Sequence, residues 1–457
     1  MAKRKTTKKK KSSVRHTRAI QRDRRKRPIV SPPDEKIEQR LQELLEPAIE
    51  SQKAKEKALG LRSRLLPLSV MVAIVVSMIW RQVGGGGTEI SRLLATEGLL
   101  WVSVLQVSQQ AISSRLRTFP PILFLGILNT LLPVLQERHK KRQRPLTEHL
   151  TWAKQKYTDV LAADGSTLDA LMRQVGLLRG EETHPLAGKT MALLDVCSWL
   201  PLSLWYDEKP STHDQKFWPQ LLEAIPRGCL LLLDAGFVNF ASFLQLTSQN
   251  ITFIIPAATH INYECHRWLT KTDYVHDLLV YIGSGSQRQL LRLVTVYYHG
   301  ESYSYLTNEL DPLVLPPHRL ASLYWQRWRI EDAFHIVKRL LGLAYFWTGS
   351  VYGVLLQLWG TWILYAILVD LTDDIADALN RPFADISIEM VYRSLYYFSQ
   401  AFHRGRADDP VSFLAENARL FGILKRQRQP SHDHEPPEPP EPIPLPHFLQ
   451  SIPLPDS

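Results

Sequence analysis

Four residues in the stretch YWQRWRIEDAFHIVK, Tyr324 to Lys338, have types and spacing that can do chemistry together. On a helix at 100° per residue, Tyr324, Arg327, Glu331 and Lys338 share an arc of about 60°. One carboxylate then stands among a phenol, a guanidinium and an ammonium. Ile330, Ala333, Phe334, Val337 and Leu341 form the opposite, core-facing stripe. A solvated helix with ordinary i,i+4 salt bridges is the plain alternative, but Trp325 and Trp328 flank the polar face. Two aspartates upstream also sit where a shared metal site would need them. Asp164 (VLAADGST) and Asp234 (CLLLLDAGF) each end an expected strand, with glycine within two residues to turn the chain away and leave room for a bulky substrate. Taken singly, each reads as a turn residue closing its strand. Together with Glu331 they make three carboxylates without His or Cys, a set that favours Mg²⁺ or Mn²⁺ over zinc. Two such ions about 4 Å apart stabilise an in-line phosphoryl displacement: water as nucleophile nicks a strand, a DNA 3′-hydroxyl joins one. Asp195, mid-strand in MALLDVCSW, is the rival first carboxylate; Asp164 is preferred because it lies where the chain first enters the sheet.

The elements that must position these groups follow from the pattern. A strand ends at Asp164; Gly188–Glu208 reads as two strands about a turn near Ser198–Pro201; HDQKFWPQLLEAI is helical and GCLLLLDAGF is a doubly buried strand. That order describes a mixed α/β sheet. More strands run from Asn250 to about Pro316, and helices from Tyr324 to Gln427. Upstream, Asp34–Lys57 is a charged amphipathic helix read as an interaction or spacer element, and Gly84–Gly87 is a hinge. Two helices follow, capped at Thr88 and Ser108. The second places Ala111, Ile112 and Leu116 toward a core and Gln109, Gln110, Ser113, Arg115 and Arg117 outward. This fits the recognition helix of a helix-turn-helix, with a plain helical bundle as the alternative. Residues 137–146 form a basic joint.

The Tyr-x2-Arg-x3-Glu-x6-Lys spacing from Tyr324 to Lys338 resembles the Y-R-E-K pattern of bacterial insertion-sequence transposases with a D-D-E triad, insertion sequence family four. VLAADGST and CLLLLDAGF look like that group's two Asp motifs, and Tyr305–Asn308 resembles its strand before the helix. The likeness covers roughly residues 150–345. It implies an RNase H-like catalytic core interrupted by a β-rich insertion at about 240–320, with divalent metal at Asp164, Asp234 and Glu331. It implies cut-and-paste DNA transposition, with Tyr324, Arg327 and Lys338 on the DNA end and a homodimer holding two terminal inverted repeats. Some relatives flip a base onto an insertion tryptophan; Trp268 is the only tryptophan in that stretch. Ala235 departs from the polar residue that relatives often carry after the second Asp. The competing expectations are an RNase H-like nuclease that does not join strands, an inactive, domesticated DNA-binding protein, and a membrane-associated helical protein in which the triad is incidental.

At 457 residues, 45% apolar and 22% charged, the chain is long enough for several domains with a substantial core. The +10 net charge is concentrated: residues 1–27 hold fourteen Lys/Arg against Asp23, leaving the rest near −3. A basic arm over 1–30 suits sequence-independent phosphate attraction. The expected division is then 31–146 helical and DNA-end-binding, 147–345 catalytic, 346–427 helical, and 428–457 a disordered proline-rich tail. Three cysteines without CxxC spacing imply a reducing compartment. No signal peptide is expected, and the location read from this is cytoplasmic and nucleoid-associated. Leu65–Trp80 is shorter than the roughly 20 residues a spanning helix needs, and Leu340–Val369 is broken by glycines, so a buried helical hairpin is the reading of both, with no membrane partner.

Overall fold

The computed structural model describes residues 35–61, 66–81, 87–168, 188–257, 261–298, 300–343, 346–348 and 350–425. The basic arm, most of the four-glycine hinge and the proline-rich tail lie outside these residues. The chain begins with helices α1 (Glu35–Ser51), α2 (Lys53–Ala58), α3 (Leu68–Trp80), α4 (Gly87–Thr96), α5 (Gln109–Thr118), α6 (Ile122–Lys141) and α7 (Glu148–Lys154). Strands β1 (Val160–Thr167), β2 (Lys189–Asp195) and β3 (Pro201–Asp207) follow, then α8 (Trp218–Ala224), β4 (Leu230–Leu233), α9 (Phe240–Ser248) and β5 (Thr252–Pro256). Strands β6 (Tyr263–Lys271), β7 (Val275–Ile282), β8 (Gln289–Tyr298) and β9 (Glu301–Thr307) precede α10 (Pro317–Trp325), α11 (Trp328–His335), α12 (Val351–Ala378), α13 (Ile388–His403) and α14 (Pro410–Glu416).

The strands form one mixed sheet in the order β3-β2-β1-β4-β5-β9-β8-β7-β6. β1 runs antiparallel to β2 and parallel to β4, which is parallel to β5. Side chains alternate between two cores, as period-2 geometry requires. Val160, Ala162, Ala192, Leu230 and Leu232 face the large helical core. Leu161, Ala163, Met191, Leu231 and Leu233 face a second core under α8 and α9.

Several expectations change in detail. β1 continues to Thr167 because Thr167 pairs with Lys189, so Asp164 is inside a strand and not at its end. α9 and β5 belong with the β4 side of the sheet, so the extra β-structure begins after Pro256, and β6 to β9 extend the same sheet through the β5–β9 pair. Leu340–Val369 is not a hairpin: most of it lies in the single helix α12. α12 is long and apolar enough to cross a membrane, and 94% of its most apolar window is buried. Gly360 sits inside α12 where a β-carbon would lie 2.5 Å from Val75 Cγ1, so this glycine permits close approach of α3 and does not end the helix. α1 is no spacer, since Ile37, Leu41, Leu45 and Ile49 are buried in the helical core.

The basic joint is also internal. Arg138, His139, Arg142 and Arg144, with Arg40 from α1, converge on Asp370, Asp373 and Asp374 of α12. Burial alone would lower the Arg142 guanidinium, yet the three aspartates outweigh it and hold it raised. This network fastens the segment entering β1 to the longest helix of the body.

Candidate active site

The Tyr324–Lys338 stretch is three pieces instead of one helix. α10 ends at Trp325, α11 starts at Trp328, and a π-helical turn spans Ile336–Leu340. The apolar stripe is as expected: Ile330, Ala333, Phe334, Val337 and Leu341 are all buried. α11 packs against β1 on the face that Asp164 shares with Ala162, and this sets Glu331 over the sheet.

Arg327 stands at the centre. Its Nη1 lies 3.5 Å from Asp164 Oδ2 and its Nη2 donates to Glu331 Oε1 at 2.7 Å. The guanidinium carbon is 5.1 Å from the Trp328 ring centroid and 5.8 Å from that of Tyr324. This explains the tryptophan beside a charged face: Trp328, half exposed, covers a buried arginine. Asp234 follows β4 as the N-cap of a 3-10 turn over Ala235–Phe237. Burial pushes the Asp164 carboxyl up to about 6; Arg327 and the Gly165 amide oppose this, while the charges of Asp234 and Glu331 add to it. Burial likewise pushes the Tyr324 phenol up to about 12, with Arg327 opposing and Asp234 and Asp164 adding. Asp164, Asp234, Glu331, Tyr324 and Arg327 therefore share one electrostatic environment.

Lys338 reaches the same strand farther along, donating to Ser166 Oγ at 2.5 Å and Thr167 O at 2.8 Å. The π-turn carries it there, and such single-turn π segments recur at functional sites. Asp195 is elsewhere in β1's register, paired with Leu161. Its carboxylate accepts from the Cys197 and Ser198 amides and from Ser198 Oγ, so it caps the β2–β3 turn.

The helix expected to read DNA has Ser108 as its N-cap, accepting from Ala111 N at 3.2 Å. Its companion begins at Gly87 instead of after a Thr88 cap. Ile112 and Leu116 are buried and Ala111 is exposed. Gln109, Gln110 and Arg117 are exposed, whereas Arg115 is half-buried with its guanidinium 4.7 Å from the Phe119 ring centroid. Residues 97–108 join α4 to α5, far more than the tight turn of a helix-turn-helix, so the pair departs from that motif. Among the described residues no hydrogen bond or ion pair joins α5 to the three carboxylates. Trp268 is exposed on the outermost strand β6, edge-on to His276 with ring centroids 5.6 Å apart.

The donor set is all carboxylate oxygen, which suits a hard divalent cation. Among the described residues no three carboxylates, histidines or cysteines yet stand in a metal-holding arrangement. Arg327 lies between Asp164 and Glu331, so for the three acids to share a cation Glu331 would have to release it. The burial and mutual repulsion recorded by Asp164 are what such a cation would relieve.

A comparison with curated proteins finds no match. Residues 180–361 match the family described as Transposase DDE domain, a span that begins after Asp164 and contains Asp195, Asp234, Tyr324, Arg327, Glu331 and Lys338. That similarity supports a DDE transposase.

Proposed function

We propose that the protein is a cut-and-paste transposase of the Y-R-E-K type, with an RNase H-like core. In this reading Asp164, Asp234 and Glu331 would hold Mg²⁺ or Mn²⁺, which when bound would supply charge stabilisation for the attacking and leaving oxygens of a DNA phosphodiester. The observation that carries the proposal is that Asp164 of β1 and Glu331 of α11 both meet Arg327, while the charge of Asp234, from the turn after β4, bears on Asp164. The β3-β2-β1-β4-β5 strand order, with β1 antiparallel to β2 and parallel to β4, is what an RNase H-like core requires.

The chain's own groups have distinct parts. Arg327 pairs Asp164 and Glu331, and with a cation on those acids its planar fork would be available to a DNA phosphate. Lys338 ties α11's end to β1 and offers a second cation to the backbone of the DNA end. Tyr324 is buried, so its part is to wall the pocket that holds Arg327. Gln109, Gln110 and Arg117, exposed on α5, offer polar side chains to the terminal repeats, with half-buried Arg115 beside them and the basic arm adding sequence-independent affinity. Two ends require two copies, hence a homodimer on DNA, and no membrane partner is needed.

A pre-cut, labelled end incubated with full-length protein, Mg²⁺ and plasmid tests the joining step. Covalent transfer of label to the plasmid is the expected result. Cutting of intact ends without any transfer would make the protein a nuclease and overturn the transposase reading.

A further inference from the structure

The glycines that follow the two candidate aspartates face the same side chain. A β-carbon on Gly165 would lie 1.9 Å from Asp214 Oδ1 and 2.7 Å from Lys189 Cε. One on Gly236 would lie 3.7 Å from Asp214 Oδ2 and 3.9 Å from Asp234 Oδ2. The room left by Gly165 is thus already filled from within the protein, and the first glycine is not there for a substrate. Gly165 points to the face of β1 opposite Asp164, so Asp214 is not a fourth member of the acid set facing Arg327.

Asp214 opens a single 3-10 turn, Asp214–Phe217, that runs into α8. Lys189 Nζ lies 2.7 Å from Asp214 Oδ1 and donates to Thr212 O at 3.0 Å. The next residue, Gln215, donates its amide to Gly236 O at 3.3 Å and Val238 O at 3.0 Å. Trp218 then meets Phe237 edge-on, with ring centroids 5.8 Å apart. The turn that carries Asp234 is therefore held from outside by an amide and an indole, with the Asp214 carboxylate, paired to Lys189, lying beside it. It has no side-chain cap of its own, since Asp234 accepts no capping bond.

We propose that Asp214 and Gln215 are positioning residues for Asp234, fixing the turn after β4 against β1 and hence the spacing of Asp164 and Asp234. This rests on the reading of Asp164, Asp234 and Glu331 as the cation-binding set. A carboxylate held in place binds a shared cation without first paying to order its loop, and losing such outer support typically costs about 10–100-fold in metal affinity.

The test is Mn²⁺ binding by full-length protein without DNA, read by the loss of free-ion paramagnetic resonance. Wild type, Asp164→Asn, Asp214→Asn and Gln215→Ala are compared, with thermal melting alongside. Gln215 is exposed, so its truncation leaves the core intact. Gln215→Ala and Asp214→Asn are expected to weaken Mn²⁺ binding about 10-fold or more. Gln215→Ala should melt as wild type and lower kcat for end cleavage while leaving KM for DNA unchanged. If Asp164→Asn loses Mn²⁺ while Gln215→Ala binds it as wild type does, the positioning role is wrong and the cation-site reading stands. If wild type binds no Mn²⁺, or Asp164→Asn binds it equally well, the cation-site reading falls and this inference with it. Should Asp214→Asn fail to fold, Gln215→Ala alone decides.

Discussion

Asp164→Asn is expected to abolish metal-dependent DNA cleavage, by about 10³-fold or more if it is a metal-binding and charge-stabilising group, yet to make the metal-free protein more stable at pH 7. The sign follows from its environment. Its folded-state carboxyl is pushed up to about 6 from an ordinary 3.8, first by burial and then by Asp234 and Glu331. A raised acid means the folded state holds its proton more tightly than the unfolded chain does. Wild-type stability therefore falls as pH rises from about 4 to about 6, and stays lower above that window. The neutral asparagine escapes this loss, a gain of roughly 1–3 kcal/mol at pH 7 that should vanish below about pH 4. Asp195→Asn is expected to do the reverse. Its carboxylate caps the turn through Cys197 and Ser198, so the variant should keep cleavage and lose about 1 kcal/mol of stability. Cleavage of a labelled duplex and thermal melting at pH 4 and pH 7 check both. Loss of cleavage in Asp195→Asn with Asp164→Asn active would reverse the assignment of the first carboxylate.

Asp373→Ala is expected to cost about 3–5 kcal/mol, because it strands buried cations and not merely one bond. Asp373 accepts from His139 Nδ1 and Arg142 Nη1, each at 2.8 Å, and pairs with buried Arg144. Burial works to raise the Asp370 and Asp373 carboxyls, but the surrounding Arg and His groups prevail and hold both below the ordinary carboxylate value. A depressed acid contributes stability that is complete above the unfolded value and is lost as pH falls through the folded one. The gap between wild type and Asp373→Ala in urea midpoint should thus be widest near neutrality and narrow below about pH 4. A variant with the wild-type midpoint at pH 7 would show that this network does not hold the body together.

Much of the architecture is written in local patterns. Leu230–Leu233, apolar throughout, becomes the strand buried on both faces, and the i, i+3, i+4 stripe from Ile330 to Leu341 packs as its spacing dictates. What the local pattern misreads is what depends on distant partners. Asp164-Gly165 resembles a turn, but pairing of Thr167 with Lys189 draws the strand three residues past Asp164. Residues 137–146 look like a basic surface because their acids lie some 230 positions away on α12. Asp34–Lys57 reads as a spacer because its apolar face is legible but the helices that cover it are not adjacent in sequence. Asp214 and Gln215 carried no signal beyond an ordinary helix start; their meaning comes from lying between two glycines 71 residues apart. The expectation of a carboxylate set comes from spacing and the family resemblance, whereas the place of Arg327 between Asp164 and Glu331 and the π-turn delivering Lys338 depend on the fold.

If Asp164, Asp234 and Glu331 act together on DNA, Glu331 is the most direct place to test it. Its side chain is partly exposed and lies on the polar face of α11, so Glu331→Gln keeps shape and helix while removing charge. Wild type and Glu331→Gln would be incubated with a labelled duplex carrying the gene's flanking ends, with and without Mg²⁺. Mg²⁺-dependent cutting by wild type alone, with both proteins shifting the duplex equally in a binding assay, is the expected result. Equal cutting by the two proteins, or none by either while both bind, would contradict the account.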